Sequence, residues 1–418
     1  MKLKAGVLQY VLFVSVIAIL FCGLFIIAMY QGGRIIDDKA IVSALESEVN
    51  SAIVYTLATS SDSTAKNAEL DLFEDTPYKA KVSFSNWGLY RILRAETSQN
   101  ELKYKKAIML GITRPDFFTT ALYVPNNTQY ISAAGRTVIK GICYLPKNGI
   151  RPEYSGNESF IGDSLPYGKV LKSELQLPEL ASQRIESIYT SQQNDSTIRG
   201  SLDDLQGSRI ISNSFSKATR YYSSKQKIIL SCRLLSGNII IQSDSMIVVS
   251  SQCKIKNCIL IAPYIVIDKD VRGNFQAFAR KSIIVHENVK LSFPSTLVLL
   301  EKDNTSTEYT NMIQIKEHAT VCGTILFLAN RKMNNFSRFI LDKDAVVYGC
   351  IYSNNRSEIK GSVYGSLYTE SFFMQTPSSI YENLIQSATI DVRKLPKEFS
   401  NASFFKKAGR FKQIEVLR

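Results

Sequence analysis

The chain has 418 residues, of which 45% are apolar, and 50 Lys plus Arg face 37 Asp plus Glu for a formal charge of +13. That apolar share excludes wholesale disorder, and the length allows two or three compact units with a sizeable core. The positive excess is scattered, with one run in the tail (Lys394, Lys397, Lys406, Lys407, Arg410, Lys412), and no nucleic-acid-binding motif accompanies it, so no nucleic-acid partner is expected.

Lys2 and Lys4 precede an uncharged stretch from Ala5 to Gly33 that is densely apolar from Val7 to Met29. As a helix that run is about 35 Å long, enough to cross a hydrocarbon core of about 30 Å, and it exceeds a signal-peptide core. Phe21 before Cys22 excludes a lipoprotein cleavage site. Lysines before the span and a large domain after it predict a single-pass signal anchor in the inner (cytoplasmic) membrane, the C-terminal domain lying on the periplasmic or extracellular side. Residues 1–33 are therefore read as cytoplasmic lead and transmembrane anchor. Gly32-Gly33 is expected to break the helix. Residues 34–60 then form an amphipathic stalk helix, its stripe made by Ile41, Leu45, Val49, Ala52, Ile53 and Leu57.

Residues 61–119 read as a β-rich membrane-proximal segment, with alternation over Lys79–Phe84, apolar Ala107–Ile112, and Trp87 as a core anchor. Residues 120–146 carry strand-like bursts at Leu122, Val124, Tyr130 and Val138 around a Pro125-Asn126-Asn127 corner. Residues 147–234 read as a loop-rich insertion holding one helix, begun at Pro178 and buried through Leu180, Ile185, Ile188 and Tyr189; Ser191–Asp195 suits a surface loop.

Residues 235–370 organise the chain. Bursts open near Ile239, Met246, Cys253, Ile259, Ile265 and Val271, and one phrase recurs as Val321-Cys322-Gly323-Thr324-Ile325, Val347-Tyr348-Gly349-Cys350-Ile351 and Ile359-Lys360-Gly361-Ser362-Val363. Strands this short cannot bury a face alone, but stacked coils bury one another's inward residues. The prediction is a mainly β protein: one N-terminal transmembrane helix, then a parallel β-helix (solenoid) with a loop-rich, partly helical insertion. Ile139-Lys140-Gly141-Ile142-Cys143 repeats the phrase and places 120–146 as first coils of the same solenoid. Residues 371–418 form a cap and basic tail. Ser378 and Ser379 cap a short helix carrying Tyr381, Leu384 and Ile385, Ile390 and Val392 form a closing strand, and the tail beyond Lys394 is only partly ordered.

Chemistry-bearing residues are few. His286 and His318 lie in no metal-ligand spacing, although His318 and Asp344 precede their phrases by the same three residues and would stack if the coils are neighbours. Asp268-Lys269-Asp270 and Asp342-Lys343-Asp344 are the best carboxylate candidates; paired acids serve calcium binding or acid–base catalysis. Each follows one strand and precedes another in the same phase, which repeated corner geometry explains without catalysis. No catalytic, cofactor-binding or metal site is therefore expected, and no enzyme. Six cysteines follow the span (Cys143, Cys232, Cys253, Cys258, Cys322, Cys350); Cys322 and Cys350 should both point outward as free thiols, and Cys253 with Cys258 does not make a zinc site.

The repeat region, through its V/I-x-G-x-V/I strands, resembles the β-helical, polymer-forming bactofilins. Met1-Lys2-Leu3-Lys4-Ala5-Gly6, followed by an apolar helix, resembles the short basic leader of minor pilins and pseudopilins, with Val11 where major pilins carry Glu. Together these imply a membrane-anchored structural or assembly protein of a bacterial cell envelope, with protein partners in a pilus-like or secretion apparatus. The alternative is a β-helix that binds or processes polysaccharide.

Overall fold

The computed structural model describes residues 5–73, 77–127, 130–155, 158–190, 198–207, 209–301, 311–330, 337–376 and 379–417. Lys2, Lys4, Ser191–Asp195 and Ser378 lie outside them. The protein is mainly β, with one long apolar helix at the N-terminus. It divides into two compact units. One is built from the helix, Lys66–Ser83 and Arg94–Lys106; the other from Ser60–Ala65, Phe84–Leu93 and Ala107–Arg418.

In the first unit the helix runs unbroken from Ala5 to Thr59, so the expected break at Gly32-Gly33 does not occur. A glycine costs a helix only about 1 kcal/mol relative to alanine, and long helical flanks absorb that. Leu45, Val49, Ala52 and Ile53 are buried, as their spacing predicts. Tyr104 Oη donates to Glu46 at 3.0 Å and Lys106 Nζ to Asn50 Oδ1 at 2.7 Å, tying the polar flank of the helix to a strand edge. Ala68–Leu70 pairs antiparallel with the start of Ala80–Trp87.

In the second unit, strands pair in parallel with the next pass of the chain, and the pairings close on themselves. Lys254–Ile267 pairs with Arg272–Val285, which pairs with Lys290–Leu300; that strand pairs with Thr320–Leu328, then come Val346–Ile359 and Ser362–Gln375. Every second side chain enters one apolar interior, which holds Ile255, Leu260, Leu297, Ile325, Val347 and Val363. The outer faces of the same strands are also apolar. Ile259, Phe278, Val298, Leu326, Tyr352 and Tyr368 form a second cluster with Ile185, Ile188, Phe404 and Phe405.

Register corrects the third phrase. Val347 pairs with Val363 and Gly349 with Gly365, so the repeat is Val363-Tyr364-Gly365-Ser366-Leu367, and Gly361 sits in a corner four residues earlier. A period-2 pattern looks alike after an even shift, which is why Ile359–Val363 imitated it. Gly323, Gly349 and Gly365 have φ of +147°, +145° and +152°, and a Cβ on Gly349 would strike the Gly323 carbonyl oxygen. That close stacking is what the glycine is for.

Ile139 pairs with Ile390, while Leu122 pairs with both Leu367 and Cys143. The 120–146 strands thus join beyond the last repeat rather than before the first. Parallel pairing also extends upstream of 235, through Ile210–Asn213, Arg220–Ser224 and Ile228–Leu230.

Three local expectations need correction. The helix of the 147–234 stretch is Ser182–Thr190, beginning after Pro178 and Leu180, because Leu180 bridges to Phe405. Tyr381, Leu384 and Ile385 lie on strands Ile380–Glu382 and Leu384–Gln386, not on a helix; edge pairing with Phe373–Gln375 and Ser132–Ala134 takes their backbone groups. The basic tail is not loose: Arg410–Leu417 pairs antiparallel with Ala107–Thr113. Ile390 does lie on a parallel strand, Thr389–Asp391, with Val392 just after it.

Candidate functional site

The candidate acids and histidines fall on one repeated corner. Asp268–Asp270, His286–Asn288, Lys316–His318 and Asp342–Asp344 each follow a strand, and His286 N, Lys316 N and Asp342 N donate to the carbonyls of Ile267, Val285 and Ile315. The last residue of each corner is left-handed: Asp270, Asn288, His318 and Asp344 have φ of +62°, +61°, +59° and +58°. Asn, Asp and His are the non-glycine residues enriched in that conformation, so backbone geometry alone selects them. His318 and Asp344 occupy equivalent places on adjacent passes, as their phase predicts.

The two aspartate pairs do not converge. Between the Asp268 and Asp342 corners stand the His286 and Lys316 corners, so three ladder steps of about 4.8 Å separate them, roughly 14 Å. A glycosidase pair needs about 5–9.5 Å. The charges are absorbed locally: Lys269 and Lys316 lie 3.3 and 3.5 Å from Glu287, and Gln314 Nε2 donates to Asp342 Oδ2 at 2.8 Å. Glu287 accepts from its own N–H and sits beside both lysines, which hold its carboxyl down at about 2. Burial pushes the Asp342 carboxyl above its ordinary value. Among the described residues no three His, Cys, Asp or Glu side chains gather as a metal site.

A polar groove of about 550 Å³ opens elsewhere on this unit, lined by Asn127, Tyr130, Ser132, Arg356, Ser371 and Glu382. Arg151 stacks 5.1 Å from the Tyr130 ring, Arg356 Nη2 pairs with Glu382 at 2.9 Å, and Ser132 Oγ donates to Glu153 at 3.1 Å. Hydroxyl, amide, carboxylate and guanidinium groups around one aromatic ring can hydrogen-bond a polyol. Its residues come from three distant stretches with no shared motif, and sequence reasoning had no signal for it.

Cys350 points out of the barrel interior, as its parity predicts, but lies buried in the outer cluster with Tyr352, Tyr368 and Phe405. Cys322 is half-buried on the same outward parity. Trp87 is buried: its Nε1 donates to Asn257 O at 3.2 Å, and Phe215 meets its ring edge-on at 5.1 Å.

The helix is long and apolar enough to cross a membrane. Nearly all its large side chains from Val7 through Met29 (Leu8, Phe13, Ile19, Phe25 among them) are exposed, as are Ile35 and Ile36, and Ile17 is half-buried.

No family model matches the chain, and no curated protein does. Among solved structures, the competence-associated pilin ComZ from Thermus thermophilus aligns over 85% of this chain and 87% of its own, at 9% identity and a TM-score of 0.26. A score that low defines no common fold.

Proposed function

We propose that this chain is a membrane-anchored structural or assembly protein of the cell envelope, an accessory part of a pilus-like or secretion apparatus. The carrying observation is the helix Ala5–Thr59: its first half exposes large apolar side chains on every side, while Leu45, Val49 and Ala52 in its second half are buried. Water does not tolerate a patch of that size, and a bilayer or neighbouring helices would cover it. The short basic lead into the apolar run agrees with a pilin-like N-terminus. Under this reading the helix spans the inner membrane with its N-terminus inside. The closed parallel pairings are read as a β-helix displayed outside, a reading supported by the repeated left-handed corner and by the glycines in register.

The role is proposed as non-catalytic because the four aspartates sit on two corners roughly 14 Å apart, and the left-handed turn by itself accounts for Asp270 and Asp344. A reporter fused after Arg418 should be active only outside the cytoplasmic membrane, and the protein should resist carbonate extraction until residues 7–29 are removed. Cytoplasmic reporter activity would overturn the orientation, and co-purification from solubilised membranes would name the partners.

A second reading, polysaccharide binding, is favoured by the groove at Tyr130, Arg356 and Glu382. Saturable binding of envelope polysaccharide by wild type, lost in Tyr130→Ala, would support it.

A further inference from the structure

The corner repeat has an inward partner column. One residue after each left-handed corner, Val271, Val289, Ala319 and Ala345 point into the interior, fully buried and linked pass to pass by backbone bonds such as Lys290 N to Val271 O at 2.9 Å. Upstream the column continues with Cys253, which precedes the Lys254–Ile267 strand as Val271 precedes Arg272–Val285. The pass before that is one residue shorter at the same corner: Leu230 pairs with Val249 but Leu234 with Lys254. Backbone register sets Arg233 beside Cys253, with Lys254 N donating to Arg233 O at 3.3 Å, but Arg233 is exposed and Cys232, one residue earlier, is the buried one that meets Cys253. Both are buried in the interior cluster, and their sulfurs lie 3.2 Å apart.

We propose that Cys232 and Cys253 are the sites of a disulfide that staples the first passes of the barrel together. One residue out of register, their Cα atoms stand roughly 5.8 Å apart (about 4.8 Å across the ladder and about 3.3 Å along it), inside the range of about 4.4–6.8 Å that bridged Cα atoms span, so a side-chain shift of about 1 Å brings the sulfurs to the bonded distance of about 2.05 Å. Most other places in the interior are filled by Val, Ile, Leu, Ala and Phe, and an aliphatic residue would fill this one equally well. Two thiols facing each other are not needed for packing.

The two thiols are also unequal. The hydrogen bond between the two sulfurs, in which either thiol can donate, holds the Cys232 thiol below its ordinary value and, together with burial, the Cys253 thiol above it. Cys258 is buried nearby with its thiol held well above the ordinary value by burial, and its sulfur faces the Leu235 and Lys256 carbonyls instead.

The bond forms by exchange with a disulfide oxidant such as glutathione disulfide. One of the two thiolates attacks one oxidant sulfur and expels a thiolate, which takes up a proton. The other cysteine then loses its proton, attacks the sulfur of the first and expels the second oxidant thiolate, which takes up a proton. The protein loses two protons and two electrons, and the oxidant gains them. Because both sulfurs are shielded in the closed barrel, exchange belongs to the folding chain.

The sequence makes the test direct, because trypsin leaves the three cysteines on separate peptides: Ile228–Arg233, Leu234–Lys254 and Asn257–Lys269. Full-length protein refolded in detergent with a glutathione redox buffer, then alkylated and digested without reductant, should yield Ile228–Arg233 joined to Leu234–Lys254, lighter by two hydrogens than the free pair. Cys258→Ser should leave that linkage intact. Reduction should lower the thermal midpoint by about 5 °C in wild type and leave Cys253→Val, which keeps the column packed, unmoved. Complete alkylation of Cys232 and Cys253 after refolding, or a linkage of Leu234–Lys254 to Asn257–Lys269, would overturn the proposal. Because the oxidant is supplied in the tube, the outcome does not depend on which side of a membrane the domain occupies.

Discussion

Arg184 grips Asp62 with two nitrogens, Nη1 to Oδ2 at 2.9 Å and Nη2 to Oδ1 at 3.1 Å, and so fastens the short helix Ser182–Thr190 to the segment Ser60–Ala65. The same carboxylate takes Arg91 Nε at 3.0 Å and the Ser403 hydroxyl at 2.5 Å. Asp62 is 11% exposed, Arg184 16% and Arg91 17%, so water does little to compensate a lost partner. Breaking a buried pair by removing one member costs about 3–5 kcal/mol, most of it the stranded charge. Asp62→Asn should therefore destabilise this unit by about 3 kcal/mol, seen as a lower urea midpoint with an unchanged slope.

Gln276 holds a turn. Its Nε2 donates to Trp87 O at 2.8 Å and its Oε1 accepts from Leu89 N at 2.9 Å, around Gly88 at φ +59°. Gln276→Ala strands two buried backbone groups and should cost about 2–3 kcal/mol. Trp87 is the single tryptophan, so loosening of the turn should appear as a red shift of native emission. Unshifted emission with wild-type stability would show that water replaces the amide without penalty.

These contacts mark the limit of what the chain reveals before folding. The stripe Leu45, Val49, Ala52, Ile53 and the bursts from Ile239 to Val271 are legible because burial imposes a period, and a period survives in sequence. Phase within the repeat is less legible: Ile359–Val363 and Val363–Leu367 both satisfy the phrase, and only pairing with Val347 chooses between them. The left-handed corner was written as Asp, Asn, His and Asp at one offset, but the pair Asp268/Asp342 hid it by drawing attention to charge. Strands of three or four residues, such as Ile228–Leu230 and Leu384–Gln386, carry no usable period and take their state from partners far along the chain. Asp62 with Arg184, the groove at Tyr130 and Cys232 with Cys253 join residues whose encounter the fold decides.

Glu287 and Asp342 should titrate with opposite signs. Glu287 is depressed to about 2, so its contribution is present above the ordinary value of 4.5 and is lost as pH falls toward 2; Glu287→Gln should flatten stability in that acid window. Asp342 is raised, so the folded state binds its proton more tightly, and stability is lost as pH climbs from 3.8 through the elevated value. Asp342→Asn should remove that loss and leave the protein at least as stable near neutrality. Denaturant midpoints between pH 2 and 7 check both, and matching slopes in the two variants would contradict the corner electrostatics.

At the corner itself, conformation and charge can be separated. Asp270→Asn and Asp344→Asn keep a residue tolerant of the left-handed turn and should shift stability by no more than about 0.5 kcal/mol. Asp344→Val removes the charge equally but forces a β-branched residue to φ +58°, which should cost about 1–3 kcal/mol. Equal losses in the Asn and Val variants would mean that the carboxylate, not the backbone, is what the position requires.

Gly32 and Gly349 differ in what an added methyl group would meet. At Gly32 a Cβ meets nothing within 4 Å, and the residue lies within the helix Ala5–Thr59, so Gly32→Ala should favour the helix by about 1 kcal/mol. At Gly349 the φ of +145° is hostile to any side chain, and an added methyl runs into the carbonyl oxygen of Gly323 one strand away. No rotamer relieves that contact, because it is Cβ against backbone. The two passes would have to part, and the hydrogen bonds that hold Gly323 beside Gly349 and Gly349 beside Gly365 would stretch with them. Gly349→Ala should therefore cost about 3 kcal/mol or more, with the same for Gly365→Ala. Thermal melts of the detergent-solubilised chain will show the difference: a wild-type or higher midpoint for Gly32→Ala, and a drop of several degrees for Gly349→Ala. A Gly349→Ala protein that melts like wild type would mean that the strands do not stack glycine on glycine.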